Sequence, residues 1–146
     1  MIEVNGIPAH PLLVHLVVVL LPLAALGAVL VSLWPAAQRK LTFLVPLAAV
    51  VGAAVVPVTT RAGTQLAAHL GNPAFLDHHR QLGNMVLPWA VALAVTTSAQ
   101  WLLLRRTPGV VTRGAVALAV VASAVGTAAI VVLAGDAGAH AVWANR

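Results

Sequence analysis

Residues 12–34 read LLVHLVVVLLPLAALGAVLVSLW, an apolar run with one histidine, one serine and no charged side chain. The uncharged segment around it extends from Glu3 to Arg39. A helix needs about 20 mainly apolar residues to cross ~30 Å of hydrocarbon. The run therefore predicts a transmembrane helix over residues 11–34, against which the rest of the chain packs.

Three further segments between charged residues are comparably long and apolar. They cover residues 41–60, 82–104 and 114–135, and each is long enough to cross a bilayer as a helix. Together with the first segment they predict an all-α fold, an integral membrane four-helix bundle that forms a single transmembrane domain over residues 1–146.

Small residues recur four positions apart within these segments. Examples are Ala24 and Ala28, Ala48 and Gly52, and Ala122 and Gly126. Such spacing lets helix backbones approach closely in lipid, where apolar burial gives little drive for association. The pattern predicts tightly packed helix pairs.

The composition excludes several classes of protein. Hydrophobic residues make up 61% of the chain and charged residues 8%, against about 25% charged in soluble domains. The net charge is +5, but the basic residues are scattered and form no nucleic-acid-binding patch. The absence of cysteine excludes disulfides, thiolate metal sites and c-type haem attachment. The N-terminus lacks a basic region, so we expect no cleavable signal peptide.

Basic residues next to the helices predict the orientation, because cytoplasmic connections carry the excess of lysine and arginine. Five of them lie in the first and third connections: Arg39, Lys40, Arg105, Arg106 and Arg113. The other side carries three: Arg61, Arg80 and Arg146. The first and third connections are therefore predicted to be cytoplasmic, with both termini on the outer side.

All six histidines then fall at the outer side. They are His10, His15, His69, His78, His79 and His140. Histidine is the commonest metal ligand and also ligates haem, so this distribution predicts a ligand site at that face. His15 is the strongest candidate, because a polar ring within an apolar helix is costly and is expected to face the bundle interior. His10 can instead be a helix cap, and His69, His78 and His140 can be solvated loop residues.

Three charged residues extend the candidate set. Asp136 is predicted to end the last helix, where a negative charge opposes the helix dipole, so it is expected to have a cationic partner such as arginine, charged histidine or a metal. Arg61 and Arg80 are either interface anchors or partners for an anionic group such as a haem propionate.

Four stretches resemble one family of bacterial membrane proteins, the domain of unknown function 2231. The most specific is residues 5–15, NGIPAHPLLVH, which contains an HP-x-x-VH signature. Residues 57–63, 79–89 and 135–143 fit the family less specifically. The resemblance covers nearly the whole chain and implies a four-helix membrane protein with histidines on its outer face, multi-pass in the bacterial inner membrane.

The resemblance also bears on function. Family members can be joined to redox modules such as Rieske or cytochrome c domains, which implies a redox context without assigning an activity. The last motif usually reads G-H-x-G in the family, whereas this chain has Asp136 at the histidine position. An oxygen ligand at Asp136, or His140 four residues on, would then replace that histidine.

The residues leave three interpretations open. One is a b-type haem held by His15 and His79, with Arg61 and Arg80 nearby, in an electron-transfer component. Another is a zinc or copper site built from His10, His15, His79 and Asp136, with His140 as a substitute. The last is a non-catalytic subunit that scaffolds a redox protein partner or a homo-oligomer in the bilayer. No nucleophile with a base and an orienting partner is recognisable, so a hydrolase is not expected.

Overall fold

The computed structural model describes residues 3–4 and 6–143. Two short strands, β1 (Glu3–Val4) and β2 (Ile7–Pro8), precede five helices. The helices are α1 (Ala9–Leu33), α2 (Pro35–Leu41), α3 (Leu44–His69), α4 (Asp77–Leu104) and α5 (Val110–Trp143). All except α2 are long and apolar enough to cross a membrane, which confirms the predicted all-α bundle with four candidate spans.

Local sequence explains where the helices begin and end. Trp34 has an extended backbone (φ −125°, ψ 113°) and ends α1, because a residue that precedes proline is disfavoured in the helical region. Pro35 then begins α2, where its missing N–H costs nothing. After α3, Gly71 (φ 82°) and Asn72 (φ 52°) take the left-handed conformation that commonly follows a helix. A single 3-10 turn (Ala74–Leu76) leads into α4.

The helices form two antiparallel hairpins, α1 with α3 and α4 with α5. Helix α1 packs against α3 and α5, α4 packs against the same two helices, and α1 and α4 face each other across the diagonal with few contacts. Helices α1 and α4 both begin at the same end of the bundle. The hairpins are therefore packed in equivalent ways, so that an approximate two-fold axis along the bundle would exchange α1 with α4 and α3 with α5.

Glycines mark the closest approach within each hairpin. A Cβ atom on Gly52 of α3 would lie 2.5 Å from Cδ2 of Leu21 on α1. A Cβ atom on Gly126 of α5 would overlap the ring of Trp89 on α4. Each hairpin therefore has a large side chain of its first helix against a glycine of its second. Gly52 and Gly126 are both members of the predicted small-residue pairs.

Buried side chains form two clusters along the bundle. One contains Val17, Leu21, Val56, Val86, Ala90, Ile130, Val131 and Ala134. The other contains Ala24, Ala25, Ala28, Val31, Val45, Ala49, Leu93, Ala94, Val120 and Ala124. Many large apolar residues point outward instead, including Val19, Leu23, Val125 and Val132, each more than half exposed. The alanines of the second cluster let the helix backbones approach closely, and the outward apolar side chains suit contact with lipid.

Hydrogen bonds between side chains also join the helices. Thr96 of α4 and Ser123 of α5 lie 2.8 Å apart, oxygen to oxygen. Thr127 of α5 donates to the carbonyl oxygen of Trp89 at 3.0 Å. Each bond pairs polar groups that would be costly to leave unpaired in an apolar interior.

We call the two ends of the bundle the histidine end and the basic end. The histidine end carries His10, His69, His78, His79 and His140, and the basic end carries Arg39, Lys40, Arg105, Arg106 and Arg113.

Candidate functional site

His10 and His79 meet at the histidine end. His10 is the second residue of α1 and His79 the third residue of α4, so each lies at the start of one of the two diagonal helices. Their ring centroids are 6.2 Å apart and the ring planes are inclined by 74°. The structure thus pairs His79 with His10.

The imidazole of His10 lies directly on the backbone of α3. Its Nδ1 is 3.0 Å from the carbonyl oxygen of Thr59. A Cβ atom on Gly63, four residues later, would come within 2.7 Å of Cε1 of the ring. Only glycine at position 63 leaves room for the ring to reach the carbonyl of Thr59. In the helix, the same carbonyl is placed to accept the hydrogen bond from the N–H of Gly63.

The imidazole of His79 repeats this arrangement on α5. Its Nδ1 is 2.9 Å from the carbonyl oxygen of Ala134. A Cβ atom on Gly138, again four residues later, would come within 3.1 Å of the ring. Both hairpins therefore hold a histidine of the first helix against a carbonyl and a glycine of the second, as the approximate two-fold relation requires.

These hydrogen bonds decide which ring nitrogen of each imidazole carries the proton. A carbonyl oxygen can only accept, so Nδ1 of His10 and Nδ1 of His79 must both donate. In the neutral ring Nε2 then has a free lone pair. Among the described residues no hydrogen bond to either Nε2 is found, which leaves two uncommitted imidazole lone pairs at one end of the bundle.

His15 is placed differently from the expectation that it faces the bundle interior. It is exposed, and its Nδ1 lies 2.6 Å from the carbonyl oxygen of Pro11 on its own helix. Five residues correspond to about 140° around an α-helix, so the packing that turns His10 inward turns His15 outward. The cost of a polar ring in an apolar segment is reduced here by a bond to the helix itself. The structure does not bring His15 to His79.

Asp136 lies within α5, which continues seven residues beyond it. The expectation that Asp136 ends the last helix is therefore wrong, because the alanine-rich segment 137–143 contains no helix breaker other than glycine. The Asp136 carboxylate is 3.7 Å from Nε2 of His140, one turn on, and both side chains are exposed. His140 is helical rather than part of a following loop.

The four residues predicted to share a metal do not assemble. Within residues 3–4 and 6–143 no group of three or more histidine, aspartate or glutamate side chains is close enough to hold a metal ion. His10 and His79 form a pair, whereas His15 and Asp136 lie elsewhere. An exposed groove of about 380 Å³ is lined by His78, Asp136, His140 and Phe75, among others.

Two arginines flank the histidine pair in sequence. Arg61 lies between Thr59 and Gly63 on α3 and is exposed. Arg80 follows His79 directly, and one of its nitrogens is 4.0 Å from the carboxylate of Asp77.

The carbonyls of Thr59 and Ala134 were not foreseen as part of the site, nor were Gly63 and Gly138. The two glycines carried a signal, because each occurs inside a helix, where glycine costs roughly 0.5–1 kcal/mol relative to alanine. A helical glycine permits close contact with another group but does not prove it, because Gly83 and Gly135 are also helical and a Cβ atom on either would meet nothing within 4 Å. Sequence does not show which group that is.

The family model described as "Predicted membrane protein (DUF2231)" matches residues 6–146. Searches of curated proteins and of solved structures find no match to the chain. The matched region includes the histidine pair, both glycines that hold it and all four candidate membrane spans. The chain therefore belongs to the DUF2231 family of predicted membrane proteins.

Proposed function

We propose that this membrane protein holds a b-type haem between His10 and His79 and serves as an electron-transfer component. The observation that carries the proposal is the pair of imidazoles, each donating through Nδ1 to a backbone carbonyl and each with a free Nε2. Histidine ligands of metals are typically oriented by this kind of second hydrogen bond.

The spacing of the rings is compatible with one metal ion between them. An imidazole nitrogen lies about 1 Å from its ring centroid and about 2 Å from a bound metal, so two ligands on opposite sides of one ion have centroids about 6 Å apart. The observed separation is 6.2 Å. The distance between the rings would therefore allow His10 and His79 to bind one ion.

The number of ligands favours haem over a bare ion. Zinc sites generally use three or four protein ligands, and the described residues contain no group of three. A porphyrin supplies four nitrogens itself, so two histidines complete its coordination. A zinc or copper ion held by His10 and His79 stays the alternative, because imidazole also suits those metals.

Several buried residues at the histidine end are alanines: Ala9, Ala62, Ala67, Ala134 and Ala141. A flat group that separates the helices there would meet methyl groups. Arg61 and Arg80 would pair with the haem propionates, which are anionic.

A bound haem would supply one-electron redox chemistry. The chain would hold it, orient the axial rings and set their basicity, since each Nδ1–H···O=C bond makes Nε2 a stronger donor to the metal. Electrons would then pass to a partner protein that docks at the histidine end. We further propose that this end faces outward from a bacterial inner membrane, which the excess of basic residues at the other end supports.

The test is an absorption spectrum of protein purified in detergent after haem supplementation, together with iron, zinc and copper analysis of the same sample. We expect a Soret band and about one iron per chain. His10→Ala and His79→Ala should each remove the band, because either change removes one axial ligand. His15→Ala and His140→Ala are matched controls that should retain it.

Three results would contradict the proposal of a haem between His10 and His79. Folded protein without a Soret band but with stoichiometric zinc or copper, lost in the same two variants, would indicate a bare metal site. Folded protein without haem and without metal would favour the structural-subunit interpretation. Loss of the Soret band in His15→Ala but not in His10→Ala would restore His15 as a ligand.

A further inference from the structure

A cleft of about 180 Å³ opens at the basic end, far from the histidine pair. It lies between the last turn of α1, the start of α2, the last turns of α4 and the first turns of α5. Its polar lining comes from Ser32, Gln38, Gln100 and Arg113. Its apolar lining includes Val31, Leu33, Trp34, Leu103, Leu104 and Val116.

Gln100 presents an unused acceptor to this cleft. Its side-chain nitrogen Nε2 donates to Oγ of Ser32 at 2.9 Å, and Ser32 Oγ itself donates to the carbonyl of Ala28 at 2.8 Å. The single proton of the Ser32 hydroxyl goes to the Ala28 carbonyl, so Ser32 Oγ accepts its other hydrogen bond from Gln100. The amide of Gln100 therefore has Nε2 toward Ser32 and Oε1 on its other side. No hydrogen bond to Oε1 of Gln100 is found among the described residues.

The exposed fraction of Gln100 indicates where its Oε1 lies. Gln100 is only 6% exposed, yet no fully buried side-chain oxygen or nitrogen lacks a partner within the described residues. Oε1 therefore keeps contact with open space, and the cleft is the open space that Gln100 lines. A ligand with an O–H or N–H group would complete its hydrogen bonding.

The charged side chains at the basic end, around the cleft, are all cationic. The basic end carries five cationic side chains, whereas all three acidic residues of the chain, Glu3, Asp77 and Asp136, lie at the histidine end. Arg113 is the one cation that lines the cleft, and it sits in the first turn of α5. The backbone N–H of Arg113 donates to the carbonyl oxygen of Gly109, so the guanidinium is the group that Arg113 offers to a ligand, and the helix dipole favours an anion near the start of α5.

The other cations at this end are arranged differently. Arg105 stacks over the ring of Trp101, with its guanidinium carbon 4.5 Å from the ring centroid. Arg106 is exposed and does not line the cleft. Arg113 makes no ion pair among the described residues, so its charge is available to a ligand.

We propose that this cleft binds an anionic phospholipid whose headgroup carries a hydroxyl, as phosphatidylglycerol does. The phosphate lies at Arg113 and the N-terminus of α5, and the headgroup hydroxyl donates to Oε1 of Gln100. The apolar lining takes the start of an acyl chain, and Trp34, which is 59% exposed, lies at the lipid interface. Basic clefts between membrane helices bind anionic lipid headgroups in this way.

The lipid headgroup needs a hydroxyl because Oε1 of Gln100 can only accept a hydrogen bond. A phosphodiester at neutral pH has acceptors only, so it can satisfy Arg113 but not the free oxygen of Gln100. Phosphatidylcholine lacks both a net negative charge and a donor. The site is therefore expected to rank phosphatidylglycerol above phosphatidylmethanol, an anionic phosphodiester without a headgroup hydroxyl, and both above phosphatidylcholine.

The experiment measures lipid retained on the detergent-purified protein by native mass spectrometry, with the shift in Tm as a second readout. Phosphatidylglycerol, phosphatidylmethanol and phosphatidylcholine with identical acyl chains are titrated, and glycerol 3-phosphate tests a water-soluble anion. We expect Arg113→Gln to weaken phosphatidylglycerol binding about tenfold or more, the scale of a lost charged hydrogen bond. Arg106→Gln, at the same end but outside the cleft, should change it by less than about threefold.

Gln100→Leu and Gln100→Glu test the hydroxyl contact separately. The leucine variant should remove the preference for phosphatidylglycerol over phosphatidylmethanol while anionic lipid still binds, and the glutamate variant should weaken both anionic lipids. Circular dichroism checks that each variant is folded. Equal losses in Arg113→Gln and Arg106→Gln, equal binding of all three lipids, or glycerol 3-phosphate that competes as well as the lipid would each overturn the proposal.

Discussion

Gly63 has no room for a side-chain carbon, because the imidazole of His10 lies on its backbone. Gly63→Ala should displace the ring and break its bond to Thr59, while the helix itself gains roughly 0.5–1 kcal/mol from alanine. We therefore expect a nearly unchanged Tm together with a shifted or weakened absorption spectrum of the histidine site. Thermal unfolding and the haem-supplemented spectrum measure the two effects independently.

Gly83 is the matched control for this change. It also lies in a helix at the histidine end, but a Cβ atom there would meet nothing within 4 Å. Gly83→Ala should leave the spectrum unchanged and raise the stability slightly. If Gly63→Ala and Gly83→Ala had identical spectra, the contact between His10 and Gly63 would have no influence on the site.

The sequence does not show which histidine of the first helix faces the bundle interior. The sequence predicts that His15 faces inward, because an imidazole without a hydrogen-bond partner is costly in lipid. In the structure its Nδ1 bonds to the carbonyl oxygen of Pro11 and the ring points outward. Its neighbour along the motif, His10, is the residue that meets His79. The rotation of α1 about its own axis decides between them, and that rotation depends on side chains of α3 and α5 that are distant in sequence.

At the scale of elements, the contact between Trp89 and Gly126 predicts how tightly α4 and α5 are joined. Gly126→Ala would put a methyl group into the indole ring, and overpacking of this kind typically costs 1–3 kcal/mol. Gly135→Ala, on the same helix with nothing within 4 Å of the added carbon, should instead be neutral or stabilising. Thermal unfolding in detergent compares the two variants. A Tm for Gly126→Ala at or above that of Gly135→Ala would contradict the packing.

The number of helices could be predicted because hydropathy is a property of each segment alone. Four uncharged segments bounded by charged residues are sufficient, and four long helices are observed. The ends are harder to predict. Helix α5 extends to Trp143, well past the expected end near residue 135, because the alanine-rich segment 137–143 contains no strong helix breaker. Charge marks where a span leaves the hydrocarbon but not where the helix stops.

At the scale of the whole molecule, the separation of charge predicts its orientation in the membrane. The chain contains no cysteine, so single cysteines can be added on an empty background. Ala74→Cys lies at the histidine end and Thr107→Cys in the connection at the basic end, and both positions are exposed. An impermeant maleimide should label Ala74→Cys in intact spheroplasts and Thr107→Cys only after permeabilisation. The reverse pattern would place the histidine end in the cytoplasm.

The short hairpin of β1 and β2 has a consequence for anything joined to the N-terminus. Strand pairing folds Glu3 back beside Pro8, and Pro8 is only two residues from His10. A domain attached there is tethered next to the histidine pair by a few residues of about 3.5 Å each. Short tethers give effective concentrations in the millimolar range. If the pair holds the proposed haem, electron transfer between it and a redox domain fused there would be intramolecular, with a rate that does not depend on how much protein the membrane contains.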